Sequence, residues 1–178
     1  MTERELQKVI RDLFMQGFAA QNMSIRVQRT FQQRNHSAPD VPTLGYHRIT
    51  TTPVGWQYRR AEKTGEHTGR ETHYSNELIT YQFNALVVEP SPENESMGDM
   101  TASDLLRTAR MIAVAQRPRL KSLGINILHI NTIAEVQVQN ESDNWEYQPS
   151  FDIAFSVKQE LTTDVGRVTG FTHHFHRV

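Results

Sequence analysis

The chain opens on apolar residues recurring at steps of three and four. Leu6, Val9, Ile10, Leu13, Phe14 and Phe18 fall on one side of a helix, which the spacing predicts to end between Gly17 and Gln21. Thr2 and Glu5 mark its start, because that separation lets a hydroxyl and a carboxylate each satisfy a free backbone N–H. Alternation over residues 25–28 reads as a short strand. Asn35, Ser37, Pro39, Asp40 and Pro42 then supply loop chemistry. Leu44, Tyr46, Arg48 and Thr50 interleave with small or polar residues as a strand reaching Pro53. Further on, Ile79, Tyr81, Phe83, Ala85 and Val87 take one face of a strong strand, and the other face also turns apolar at its end, which predicts a central position. Residues 43–89 therefore read as two long strands joined by a projecting polar arm at about 55–73.

The second half repeats the scheme. A loop containing Pro90 and Pro92 leads to Thr101 and Asp104, the start of a helix whose core face is Leu105, Leu106, Ala109, Ile112 and Ala113. Pro118 ends or kinks it, and Gly124 is the expected cap of a last turn. Residues 125–130 and then Ala134, Val136 and Val138 predict strands, and after a polar turn Phe151, Ile153, Phe155 and Val157 predict another. The order predicts a single α+β domain over 1–178: a mainly antiparallel sheet, two principal helices packed on one face, and a long β-hairpin arm. The stretch from about 165 to 178 is expected to be an extension, either an edge strand or a tail.

Composition narrows the classes. Leu, Ile, Val and Phe make 42 of 178 residues, just above the roughly 20% below which chains tend to stay disordered. The chain folds on a thin apolar supply, and a mean hydropathy of -0.58 favours stability gained by association. No cysteine is present, which excludes disulfides, thiolate metal sites and a cysteine nucleophile, and fits a reducing compartment. The charged first residues lack the form of a signal peptide, and no apolar run approaches the roughly 20 residues a bilayer requires, so a soluble chain without membrane contact is expected. With 19 Lys+Arg against 20 Asp+Glu, the bulk basic footprint of a dedicated nucleic-acid binder is missing.

Candidate chemistry is sparse. His173, His174 and His176 cluster near the end, and on a strand His174 and His176 would share a face from which two imidazoles can reach one ion. No carboxylate lies nearby in sequence to complete the site, so a plain strand or tail is the simpler reading. His67 and His73 read as members of a solvated arm, and His129 as a core or sheet histidine. Neither a nucleophile elbow nor a phosphate-binding glycine loop occurs. Charge placement says more: Glu89, Glu93, Glu95, Asp99 and Asp104 follow one another without a cation, while the arm carries Arg59, Arg60, Lys63 and Arg70. Both segments are either solvated loops or two halves of a subunit contact whose register opposite charges fix. Trp56, Tyr58, Trp145 and Tyr147 are large amphipathic side chains in hydrophilic stretches, either packed beneath them or used as interface anchors.

Taken together, the amphipathic first helix, the polar arm, the strand Tyr81-Gln-Phe-Asn-Ala-Leu-Val-Val, the Pro-rich acidic loop, the following helix and the late strand Trp145-Glu-Tyr-Gln-Pro-Ser-Phe-Asp-Ile-Ala-Phe-Ser-Val resemble the neck and tail terminator proteins of tailed bacteriophages. The resemblance implies a structural, non-enzymatic virion protein without cofactors. Such subunits form a ring, usually hexameric, that caps the tail tube and joins it to head–tail connector proteins. DNA passes through the lumen without sequence-specific binding, and assembly takes place in the host cytoplasm. The expected contact residues are Trp56, Tyr58, Arg59, Arg60, Lys63, Arg70, Glu93, Glu95, Asp99 and Trp145. Two other readings stay open: a small metal-dependent enzyme using the C-terminal histidines, and another phage head–tail connector adaptor.

Overall fold

The computed structural model describes residues 1–30, 41–64, 68–87, 100–139 and 145–166. Helix α1 (Glu3–Ala19) begins at a complete capping box, in which Thr2 Oγ1 accepts from the Glu5 N–H and the Glu5 carboxylate accepts from the Thr2 N–H. Helix α2 (Ala102–Ala115) repeats the device with Thr101 and Asp104. Bonds from the capping hydroxyl and backbone hold the Glu5 and Asp104 carboxyls below the ordinary carboxylate range. The short α3 (Arg117–Ser122) starts with Pro118 in its first turn, where a missing N–H costs nothing. Gly124, at φ +76°, stands just past its C-cap residue Leu123 and turns the chain into the sheet.

The sheet runs β1 (Arg26–Arg29), β2 (Thr43–Lys63), β3 (Thr68–Leu86), β6 (Trp145–Gly166), β4 (Ile125–Ile130), with β5 (Ala134–Gln139) also pairing β6. Only the β1–β2 pair is parallel among the described residues. β4 and β5 share one edge of β6. Between them Asn131 holds the chain to that edge by donating its backbone N–H to the Asp152 carbonyl at 2.9 Å and its side-chain amide to the Asp152 carboxylate at 3.3 Å. β3 is central, as the apolar content of both its faces predicts.

α1 and α2 cover one face of this sheet. Ile79, Tyr81, Phe83 and Ala85 of β3 are buried there beside Phe151, Ile153, Phe155 and Val157 of β6. Phe14 from α1 meets Phe83 at 5.0 Å between ring centroids, and Phe83 stacks on Phe151 at 5.3 Å. The predicted helix faces are the buried ones: Leu6, Ile10, Leu13, Phe14 and Phe18 on α1, and Leu105, Leu106, Ala109, Ile112 and Ala113 on α2. Thus a modest apolar count suffices because the residues buried between helices and sheet form one continuous cluster.

Tyr81 is 1% exposed, and its hydroxyl has no hydrogen bond of good geometry, although the Gln7 side chain is near enough to offset part of the pKa rise that burial causes. Burial raises its pKa above the ordinary 10.0, as it does for Tyr46, whose hydroxyl donates to the Gln7 carbonyl at 3.3 Å. A phenol that holds its proton more tightly when folded contributes stability below pH 10, which is lost as pH rises past that value. Tyr81→Phe should therefore change stability by less than about 1 kcal/mol at pH 7 and soften the fall in unfolding midpoint above pH 10. Urea titrations at pH 7 and 10.5 check this, and a loss above about 2 kcal/mol at pH 7 would show a bonded hydroxyl.

The expected long hairpin is formed by β2 and β3, antiparallel out to Lys63↔Gly69, and it carries a third strand: β3 also pairs β6 without interruption from Asn84↔Ser150 to Thr68↔Gly166. β6 extends past the predicted 151–157, and the extension is not legible because residues 158–166, exposed except for half-buried Gln159, carry little of the apolar alternation that betrays a half-buried strand. The expected C-terminal extension from 165 begins inside this strand, and residues 167–178 lie outside the described residues.

Candidate assembly surface

Beyond the helices, β2, β3 and β6 continue as a three-stranded ribbon. Gly55, at φ +76°, sits in the irregularity between Val54 and Tyr58, where β2 inserts extra residues before pairing resumes at Tyr58↔Tyr74. Such a bulge strengthens local twist, and only glycine adopts that φ without strain.

Register sorts the ribbon's side chains onto two faces. Tyr58, Arg60, Glu62, Arg70, Thr72, Tyr74, Lys158, Glu160, Thr162 and Asp164 point away from the helix side. Tyr58, 55% exposed, stacks on Tyr74 at 4.5 Å, and the Lys158 ammonium lies 4.1 Å from the Tyr74 ring centre. Arg70 Nε meets Asp164 at 3.2 Å and Arg60 Nε meets Glu62 at 2.8 Å. On the helix side, Arg59 Nε lies 2.9 Å from Glu71 Oε1, which also faces His73 Nε2 at 3.4 Å, and Leu161 and Val165 are exposed. Exposed pairs of this kind contribute about 0–1 kcal/mol each. Their main effect is electrical: Arg59, Arg60 and Arg70 each have a carboxylate in their own chain, so the arm is charge-balanced over its described part.

The structure brings Tyr58, Arg59, Arg60 and Arg70 together on this ribbon. The backbones of Trp56 and Lys63 belong to β2, and Trp145 opens β6 at the far end of that strand. Glu93, Glu95 and Asp99 lie outside the described residues, as do His67, His173, His174 and His176. Of the two readings of His129, core or sheet, the sheet one holds: it lies in β4 opposite Ala154, exposed because β4 slips register between Ile127 and His129. Among the described residues no group of three His, Cys, Asp or Glu side chains could hold a metal ion. A hollow of about 230 Å³ between the start of α1 and the base of the arm is lined by Glu3, Arg48, Glu77 and Gln159 among others. That is below the roughly 300 Å³ at which small-molecule sites begin, and Arg48 and Glu3 already pair across it at 2.8 Å. Sequence reading missed residues 158–166 as part of this surface. The available signal was the run of Leu161, Thr162, Thr163 and Val165, residue types that favour strands.

The described fold is thus a one-sided helix layer over a sheet from which a long charge-balanced ribbon extends. One family model matches residues 5–167, and the chain belongs to that family, E217 gateway protein gp29. It is thus a phage gateway protein of the head–tail connector region, a structural component of the virion neck. No curated protein matches the chain.

Proposed function

We propose that the chain is the subunit of a tail terminator ring, which caps the tail tube and joins it to the head-side connector, with no enzymatic step. The observation that carries the reading is the three-stranded arm, within a chain whose family is a gateway protein. The arm reaches beyond the core, and almost all of its described side chains are exposed or half-exposed, which suits a surface held out for contact. A closed ring needs two unlike complementary faces on each copy, and a subunit with helices on one side and a ribbon extending past them can offer both. A wall of balanced ion pairs also suits DNA passage, since each unpaired cation would add salt-dependent hold on phosphate.

Light scattering and negative-stain imaging test the reading, with the chain alone and with tail tubes. Rings of uniform size seated on tube ends are expected, and particles that never form rings would overturn it. Removing residues 55–73 should leave a folded protein that forms no rings, because the only buried polar or apolar side chain described in that stretch is Thr72.

A further inference from the structure

Each long strand of a sheet has two edges, and an edge left open displays a row of backbone donors and acceptors that proteins either blunt or use. β1 covers β2 only at residues 43–46, and β4 covers β6 only up to Val157. Beyond those points, among the described residues, no strand pairs the outer edge of β2 or of β6. The two open edges flank the same stretch of β3: Val54–Lys63 on one side and Lys158–Gly166 on the other, both facing Thr68 to Asn76.

We infer that these edges pair with each other between copies of the chain, the β6 edge of one copy adding to the β2 edge of the next. Three features of the arm carry this. β2 and β6 are both antiparallel to β3, so they run in the same direction, and a rotation that keeps all arms aligned sets β6 of one copy parallel to β2 of its neighbour. The chain already forms a parallel pair between β1 and β2. The edges also differ in charge: residues 54–63 hold Arg59, Arg60 and Lys63 against Glu62, whereas residues 158–166 hold Glu160 and Asp164 against Lys158. A positive edge meets a negative one head to tail, while β2 against β2 or β6 against β6 brings like charges together. Finally, the β6 edge has no proline and no bulge against β3 to blunt it.

The inference rests on the ring reading and specifies its joint. Three strands from each copy close a barrel, and about six copies give about 18 strands, the size at which a barrel keeps an open aqueous channel. Helices crowd the inside of a barrel, so they sit outside. The face carrying Arg60–Glu62, Arg70–Asp164 and Lys158–Glu160 then lines the lumen.

A cysteine-free chain makes the test direct. Ala61→Cys is combined in one chain with Gln159→Cys, Leu161→Cys, Thr163→Cys or Val165→Cys in turn, all on the same face of the ribbon. Within one copy β3 separates Ala61 from Thr163 by about 9–10 Å, twice the strand spacing, too far for a disulfide. Oxidation of assembled protein should convert one of these double variants into a ladder of covalent multimers ending at the closed ring, while every single variant stays at monomer mass. Rings without a ladder at any of the four positions overturn edge pairing and leave the ring reading standing. A dimer from a single variant overturns the head-to-tail direction, and a chain that stays monomeric overturns both readings. The unmodified protein gives a second readout by hydrogen exchange. Alternate amides of residues 158–166 should exchange at least tenfold more slowly in the ring than in diluted monomer, and equal rates would also overturn the pairing.

Discussion

Replacing Phe83 with alanine is expected to lower folding stability by about 3–5 kcal/mol, the range for removing a buried phenylalanine. Phe83 is fully buried where every layer meets: Phe14 of α1 lies 5.0 Å from it, Phe151 of β6 5.3 Å and Tyr46 of β2 6.1 Å. Removing the ring empties the centre of an aromatic cluster whose members are anchored on different elements, so the site cannot collapse around the loss. For a chain of this size the change amounts to roughly 10 °C in unfolding midpoint, a large part of the roughly 5–15 kcal/mol that folded domains hold. Tyr58→Ala supplies the contrast. That ring is half exposed on the arm, and its loss should cost at most about 1.5 kcal/mol, the value of an aromatic stack. Denaturant titration of both variants checks the ordering, and equal losses would contradict the placement of the core.

The second large effect is expected at Gly17, on the side of α1 that faces α2. A Cβ on this residue would fall well inside van der Waals contact of Ile112 Cγ2, with the rest of the Ile112 side chain close behind. Glycine is what lets the two helices approach. Gly17→Val should therefore destabilise by about 1–3 kcal/mol through overpacking, although valine is the better helix former. Ile112→Ala alone should cost about 2–4 kcal/mol by leaving a cavity. Combined, the two should lose less than their sum by 1 kcal/mol or more, because the truncated isoleucine leaves room for the new methyl groups. Additivity within about 0.5 kcal/mol would show that the two sites do not share space.

Both predictions concern regions that the amino-acid pattern describes well. Helix α1 is announced by Thr2, Glu5 and six apolar positions, and α2 by Thr101, Asp104 and five, because each element is polar outside and apolar inside. The centre of β3 is legible for the same reason. Legibility fades along the ribbon, where solvent on both faces removes the contrast between alternate positions. Residues 55–63, 68–73 and 158–166 consequently look like loop and tail, although they belong to strands held by backbone pairing. The candidate surface was readable to a similar depth. Arg59, Arg60 and Arg70 stand out as a basic group in the chain order, but Glu71 and Asp164, which face two of them, come together with them only through register. The parallel joining of β1 to β2 has no local marker at all, since pairing direction is decided by where the intervening chain leads.

The arm joins the core through two strands that cross the boundary unbroken, β3 and β6, paired at every position from Ser150 to Gly166. Ladder bonds lie across the strand direction, so a pull along the arm loads many of them at once in shear, instead of opening them one after another as a peeled hairpin would. β2 differs, since its bulges at Arg48/Thr50 and Val54/Tyr58 interrupt the ladder and leave it the more compliant strand. The arm is thus a beam with a stiff side and a yielding side, suited to carrying axial load from tip to core while it bends toward β2.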